Sequence, residues 1–243
     1  MMIFVTAALA ADAWTEVSAL AEHRNDRQVA EVIPDSARKA ASEGKRQAGV
    51  HAPGDGGLAT GWGVAVWDLP VEAVWKAINN EDQASDFLAP AHSGTVDGAA
   101  HHSGRSSFQY ISAPVVTDRW WITTWTFNAE LYRLTEGAMW EVSFVDNNDP
   151  AMLEGTTFHS LLADSMPIAD AAGGWLVIPL SDGRTWVEYL SQADPGGNIP
   201  SGLMGKFADR EVLSTFDAIE ARAVYHQTAG AEGYVRPDGS ELE

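Results

Sequence analysis

Between residues 173 and 227 the apolar and polar positions read as strand, turn, strand, turn and long helix. Gly174-Trp175-Leu176-Val177-Ile178-Pro179-Leu180 is an apolar run of strand length, Ser181-Asp182-Gly183 is a turn, and 184–192 alternates with the period of a second strand. Asp194-Pro195-Gly196-Gly197 then breaks the sheet, because proline has no N–H for a ladder and glycine accepts the positive φ of a sharp reversal. Ile199-Pro200 opens a helix, with proline in the first turn, where its missing donor costs nothing. Leu203, Phe207, Val212, Phe216, Ile219 and Ala223 follow at steps of three, four and five residues and draw one apolar stripe. A stripe of about six or seven turns needs a large apolar surface to lie on, and the preceding sheet is the candidate.

The same reading along the rest of the chain predicts an amphipathic helix over 14–23, a strand over 28–33, a helix over 36–43 and a loop over 49–57. Residues 58–67 alternate as a strand, with Trp62, Val64 and Val66 opposite Gly61, Gly63 and Ala65. Asp68-Leu69-Pro70 starts a helix through Asn79, and a second helix spans 81–88. From there the pattern predicts strands only, at 94–97, 105–112, 118–129 and 138–145, with 156–162 as a further candidate. The order is that of an α+β domain; nothing suggests the strand–helix alternation of a parallel sheet. Residues 1–13 carry a short apolar run followed by Ala8-Leu9-Ala10 and Ala11-Asp12-Ala13, which fit a secretory cleavage pattern but lack a basic start. Export and cytoplasmic residence both stay open on this segment. The domain is expected over 14–230, followed by a tail over 231–243.

Charge narrows the partners. With 34 acidic and 15 basic residues the formal net charge is -19, so the surface repels nucleic acid and anionic membranes. Absence of cysteine excludes disulfides, thiolate metal sites and cysteine nucleophiles. Gly61-Trp62-Gly63 lacks the third glycine of a dinucleotide fingerprint, and Asp146-Asn147-Asn148-Asp149-Pro150 lacks the glycine and glutamate of a calcium loop. His101-His102 are adjacent in sequence, so they do not chelate one metal readily and read as solvated loop residues. No metal or cofactor is expected. What remains is aromatic bulk: ten tryptophans, with Trp121, Thr123, Trp125 and Phe127 alternating onto one strand face and Trp120, Ile122, Thr124 and Thr126 onto the other. A sheet curled around a long helix either fills the space between them with these side chains or leaves a cavity lined by them.

Several of these stretches resemble one family. Asp118-Arg119-Trp120 after Pro114 is similar to the Pro-x-x-x-Arg-Asp region of START (StAR-related lipid-transfer) domains. Gly174-Trp175 to Pro179, Gly183-Arg184-Thr185-Trp186-Val187-Glu188-Tyr189 and Asp194-Pro195-Gly196-Gly197-Asn198-Ile199-Pro200 resemble their G-x-W-x-x-x-P, G-x-T-x-V-x-Y and D-P-G-G-x-I-P elements. Trp120 departs from the pattern, standing where many members have aspartate. The resemblance covers about 58–227 and implies the helix-grip fold: a curved antiparallel sheet around a C-terminal helix, enclosing a tunnel for a lipid, sterol or similar molecule. On that implication the tunnel wall comprises Tyr110, Trp121, Thr123, Trp125, Phe127, Trp140, Phe144, Val187, Tyr189, Met204, Phe207 and Phe216, with Arg119 and Glu188 as polar candidates, against the plainer readings of Arg119 as a structural residue bonded to the sheet or to a carboxylate and of Glu188 as an outward strand residue.

Two functions fit. The first is a monomeric, non-enzymatic protein that binds, and in one version transfers, a small hydrophobic ligand, with at most transient membrane contact. The second is an enzyme like the polyketide cyclases and hydratases of the wider superfamily, with Glu188, Tyr189 or His159 as acid or base. Fold alone does not separate them.

Overall fold

A computed structural model describes residues 12–52, 57–112, 117–197, 201–230 and 232–242, with the backbone alone described over 201–211. The segment expected as a targeting signal lies, through residue 11, outside the described residues, as do the side chains of Met204 and Phe207.

The strands are β1 (Gln47–His51), β2 (Thr60–Trp67), β3 (His92–Asp97), β4 (Arg105–Ile111), β5 (Asp118–Phe127), β6 (Trp140–Asp146), β7 (Ser165–Pro167), β8 (Asp170–Pro179) and β9 (Thr185–Asp194). They form one curved sheet in the order β1-β2-β9-β8-β6-β5-β4-β3, antiparallel throughout except for β7, which pairs in parallel with β5. The helices are α1 (Ala13–Ala19), α2 (Asp35–Ser42), α3 (Val71–Ile78), α4 (Ala84–Phe87), α5 (Ala129–Leu134) and α6 (Ser201–His226). The α+β helix-grip architecture expected from the sequence is the one observed.

Four local expectations differ. Residues 28–33 make no ladder, because the Gln28 and Val29 N–H groups donate to the Glu141 carboxylate instead, at 2.8 and 3.4 Å. Residues 47–51, the last three of which fall in the glycine-rich stretch expected as a loop, form β1; Gly49 is there because a Cβ would stand 2.5 Å from the Trp62 ring on β2. A helix, α5, interrupts the run of strands, capped by Asn128, whose side chain accepts from the Leu131 N–H at 3.0 Å. Residues 156–162 contain no strand; 3₁₀ turns occupy Pro150–Leu153 and His159–Asp164.

Both faces of the sheet are covered. Along α6, Val212, Phe216, Ile219 and Ala223, members of the stripe predicted by their spacing, are buried and face the inner side together with α3. Phe216 lies directly on β2 at Gly63, where a Cβ would come within 2.8 Å of its ring. Trp67, Trp175 and Tyr189 surround it, with ring centroids 5.3, 5.6 and 6.2 Å away. On the outer side, α1 and α2 supply Val17, Ala37 and Ala41 to a cluster with Val64, Leu176, Trp186 and Leu190.

Within that outer layer, two carboxylates from the sheet hold the N-terminal segment. Glu188 accepts from Arg38 Nε at 2.9 Å, Arg27 Nη1 at 2.8 Å and Trp186 Nε1 at 3.1 Å. Glu141 accepts from Arg27 Nε at 3.1 Å, the Gln28 N–H and Asn128 Nδ2 at 2.7 Å. Burial opposes the charge of Glu188, but Arg27 and Arg38 outweigh it and hold the carboxyl down at about 2.

The segment expected as a tail packs into the core. Tyr234, Val235 and Leu242 are buried, and the Val235 carbonyl accepts from Trp75 Nε1 at 2.9 Å. His101, expected in solvent, stacks on Tyr234 at 3.9 Å and its Nδ1 donates to the Asn79 carbonyl at 2.5 Å. His226 is buried beside them, its Nε2 3.1 Å from the Asn80 amide, whose oxygen faces it and accepts. Burial, with Arg222, Lys76 and His101 nearby, pushes this imidazole down to about 4.

Three consequences are measurable. Gly63→Ala forces its Cβ into the Phe216 ring and is expected to cost about 1–3 kcal/mol in urea denaturation at neutral pH. Glu188→Gln leaves Arg27 and Arg38 buried without their shared charge and is expected to cost about 3–5 kcal/mol in the same assay, a change below 1 kcal/mol contradicting the assigned pairing. Because the folded chain resists protonating His226, stability should fall as pH drops from 6.5 through about 4, where the unfolded chain binds the extra proton. Comparing thermal unfolding of the wild type with His226→Gln across that range should show a flatter profile in the variant.

Candidate functional site

Strand registers decide which expected residues meet. Ser107 pairs with Thr123 and Arg105 with Trp125 between β4 and β5; Trp125 pairs with Phe144 on β6; Trp175 on β8 pairs with Tyr189 on β9. Side chains alternate along each strand, so these residues share the inner face with Trp121, Phe127, Trp140 and Val187.

Tyr110 and Glu188 do not join them. Tyr110 pairs with Trp120 and lies in an outer cluster with Phe108, Ile122 and Leu153, where its hydroxyl donates to Asp118. Glu188 is opposite Val64 and Leu176 on the outer face, in the arginine network. Alternation along β9 already sets Glu188 opposite Val187 and Tyr189; for Tyr110 it is the β4–β5 register, which pairs it with Trp120, that decides the side away from α6. His159 is exposed in its 3₁₀ turn. Of the three acid–base candidates, Tyr189 alone stands on the inner face.

The inner face is graded from one end to the other. Near α3 it is close-packed: Trp75 lies 4.9 Å from Phe127 and 5.6 Å from Trp140, and Val142, Val177 and Val187 are inaccessible. Phe127, Trp140, Val187 and Phe216 therefore belong to the close-packed core. A buried ion pair closes the β4 side of this end. Arg105 donates through Nε to Glu81 at 3.1 Å and through Nη2 to Asn79 at 2.8 Å, and also bonds Glu81 through Nη2.

Toward the other end the cover thins. Trp121, Gln109, Ile111 and Ser191 are half-buried and Ala193 is exposed. Arg119 marks this end: its Nε donates to the Pro195 carbonyl at 2.7 Å and its Nη2 to that of Gly196 at 3.4 Å, which ties β5 to the turn preceding α6. Gly196 and Gly197 adopt φ of 66° and 72°, the positive values that the Pro-Gly-Gly reversal requires. Arg119 is thus bonded to backbone carbonyls and fixes a turn.

Between these ends lies the candidate site, a floor formed by Trp121, Thr123, Trp125, Phe144 and Tyr189. Ser107, which sequence reading does not single out, completes it, because only the hairpin register brings it beside Thr123. Trp125 Nε1 donates to Ser107 Oγ at 2.9 Å and to Thr123 Oγ1 at 3.0 Å. The Trp125 ring is held by the Arg105 guanidinium at 5.1 Å and by Phe144 at 4.9 Å. Two open depressions lie away from this floor. One of about 460 Å³ is lined by Tyr132, Arg133, Gly137 and Asp238, and one of about 270 Å³ sits on the outer side between Val29, Val32, Val145, Ala172 and Leu190. Among the described residues no cluster of three or more His, Asp or Glu forms a metal site, and no helix is long and apolar enough to cross a membrane.

No family model matches the chain, and no curated protein sequence does. Solved structures do. A STAR-related lipid transfer protein from Xanthomonas axonopodis superposes with a TM-score of 0.59 at 18% identity, over 74% of this chain and 93% of its own. Human StAR-related lipid transfer protein 5 gives 0.59 at 10% identity, over 88% and 95%. Human STARD10 gives 0.57 at 13% identity, over 83% and 84%. At such identities the likeness is one of three-dimensional structure, and it shows that the chain has the START-like helix-grip fold.

Proposed function

We propose that the protein binds a lipid-like small hydrophobic molecule on the inner face of the sheet, between the Arg119-bound turn and Phe216, and carries it between membranes. The wall in this reading is Trp121, Thr123, Trp125, Phe144 and Tyr189; Met204 and Phe207 enter on the sequence pattern alone. The observation that supports it best is the gradient of the inner face. The α3 end is packed solid, whereas aromatic side chains continue past Phe216 into a region where Trp121, Gln109 and Ile111 keep partial access. A START-like fold with a continuous aromatic floor suits apolar cargo, since each Å² of apolar surface removed from water contributes about 25 cal/mol. The charge of -19 limits electrostatic attachment to anionic bilayers, so membrane contact in this reading is brief and apolar.

Titration with the uncharged fluorophore N-phenyl-1-naphthylamine tests binding, and native mass spectrometry gives the stoichiometry. One probe per chain is expected, with Trp121→Ala, a half-buried position, weakening affinity about tenfold at unchanged melting temperature. Probe-loaded phosphatidylcholine vesicles mixed with empty ones read transfer, whose rate should rise with protein concentration. No binding by the wild type, or equal binding by a folded Trp121→Ala, overturns the assigned site.

A further inference from the structure

Ser107 and Thr123 are an anomaly on an aromatic floor. They are 0% and 2% exposed, and they face each other across the β4–β5 ladder. Each hydroxyl already accepts from the same indole N–H, at 2.9 and 3.0 Å. A hydroxyl has one hydrogen to donate, and neither of these hydrogens has an acceptor among the described residues. Burying a donor without an acceptor is unfavourable, and alanine and valine would fill the two positions without that penalty. The arrangement is also rigid, because Trp125 is held between Arg105 and Phe144 and cannot carry its N–H away from the pair.

The surrounding charges select what such donors suit. Arg105, the nearest cation along the strand, is neutralised by two bonds to Glu81 and one to Asn79. Arg119 gives its N–H groups to the carbonyls of Pro195, Thr117 and Gly196. Neither guanidinium is directed at an incoming anion, and the fully buried donors left on this part of the floor, the Ser107 and Thr123 hydroxyls, are neutral. On the β6 and β9 side of them stand Phe144 and Tyr189, which present rings. The floor thus carries its two fully buried hydroxyls on β4–β5, beside the rings of Phe144 and Tyr189 toward β6 and β9.

We infer that the ligand is a hydrophobic molecule bearing an uncharged acceptor oxygen, a carbonyl above all, which receives hydrogen bonds from Ser107 and Thr123 while its apolar body lies over Phe144 and Tyr189. The inference rests on the binding reading above and adds the chemical class. Trp125 acts as a positioning residue: by occupying one lone pair on each hydroxyl it leaves both O–H bonds to point away from the indole, toward the ligand. A site built this way discriminates against analogues lacking the oxygen, because their binding leaves both donors unpaired.

Two neutral probes separate this inference from the one beneath it. Prodan has a ketone whose emission moves to the red when it accepts hydrogen bonds; N-phenyl-1-naphthylamine has no acceptor oxygen. The expected result is that Ser107→Ala and Thr123→Val each weaken Prodan about fivefold and the double variant about tenfold or more, with its bound emission moving to the blue. N-phenyl-1-naphthylamine should change by less than about twofold, and Thr123→Ser, which keeps the hydroxyl, should retain the wild-type Prodan affinity and controls for altered packing. Equal loss of both probes, unchanged Prodan binding in folded variants, or a wild type that takes N-phenyl-1-naphthylamine but not Prodan overturns the carbonyl assignment and leaves apolar binding standing. If the wild type takes neither probe, both readings fall.

Discussion

The contact between Phe216 and the bare backbone at Gly63 fixes where the long helix lies, and most of the inner layer follows from it. A β-carbon at residue 63 would stand 2.8 Å from the ring, so glycine is what lets α6 approach the sheet closely enough for Phe216 to sit among Trp67, Trp175 and Tyr189. With the helix anchored at its middle, its C-terminal half is committed to α3 and to the segment after it, which closes the core through Val235 and Leu242. Arg119 fixes the chain on the other side of that anchor, just before the helix begins. A helix held at its middle, with the chain before it tied to β5, divides the inner face into a packed half and a half whose cover is thinner.

The outer layer is organised by charge. Glu188 and Glu141 project from the outer face, and Arg27 and Arg38 of the N-terminal segment supply the charges that pair with them there. Buried ion pairs of this kind add little net stability compared with well-packed apolar residues, but removal of one partner strands the other, so they make the N-terminal segment an obligatory part of the domain. The segment answers with its own backbone: Gln28 gives its N–H to Glu141 where a strand would have given it to a neighbour. One carboxylate therefore explains both the attachment of this layer and the absence of the strand predicted there.

These constraints leave polar groups of two kinds near the inner face. Arg105 and Arg119 have their donors consumed by Glu81, Asn79 and backbone carbonyls, and so act as struts. Ser107 and Thr123 are buried with donor capacity remaining, next along their strands to the half-buried Gln109 and Trp121. The contrast comes from local chemistry: a guanidinium brings five donors and needs several partners to be buried at all, whereas a hydroxyl can be buried on one accepted bond and still have a hydrogen to offer.

The sequence by itself determined the elements and their order. Period-2 alternation, the Asp-Pro-Gly-Gly break and the three-to-five-residue steps of the last helix are local signals, and they specified the hairpin, the reversal and the buried stripe at Val212, Phe216, Ile219 and Ala223. The strand at 47–51 escaped because its one glycine, Gly49, relieves a clash with Trp62 that exists only across the ladder. Which face each strand presents was beyond local reading for the same reason. A single-residue choice of register sends Tyr110 outward and brings Ser107 beside Thr123, whereas the outward position of Glu188 already follows from its alternation with Val187 and Tyr189. Periodicity reports that a strand has two faces; only the packing of helices on both sides of the sheet decides which of them becomes the floor of a site.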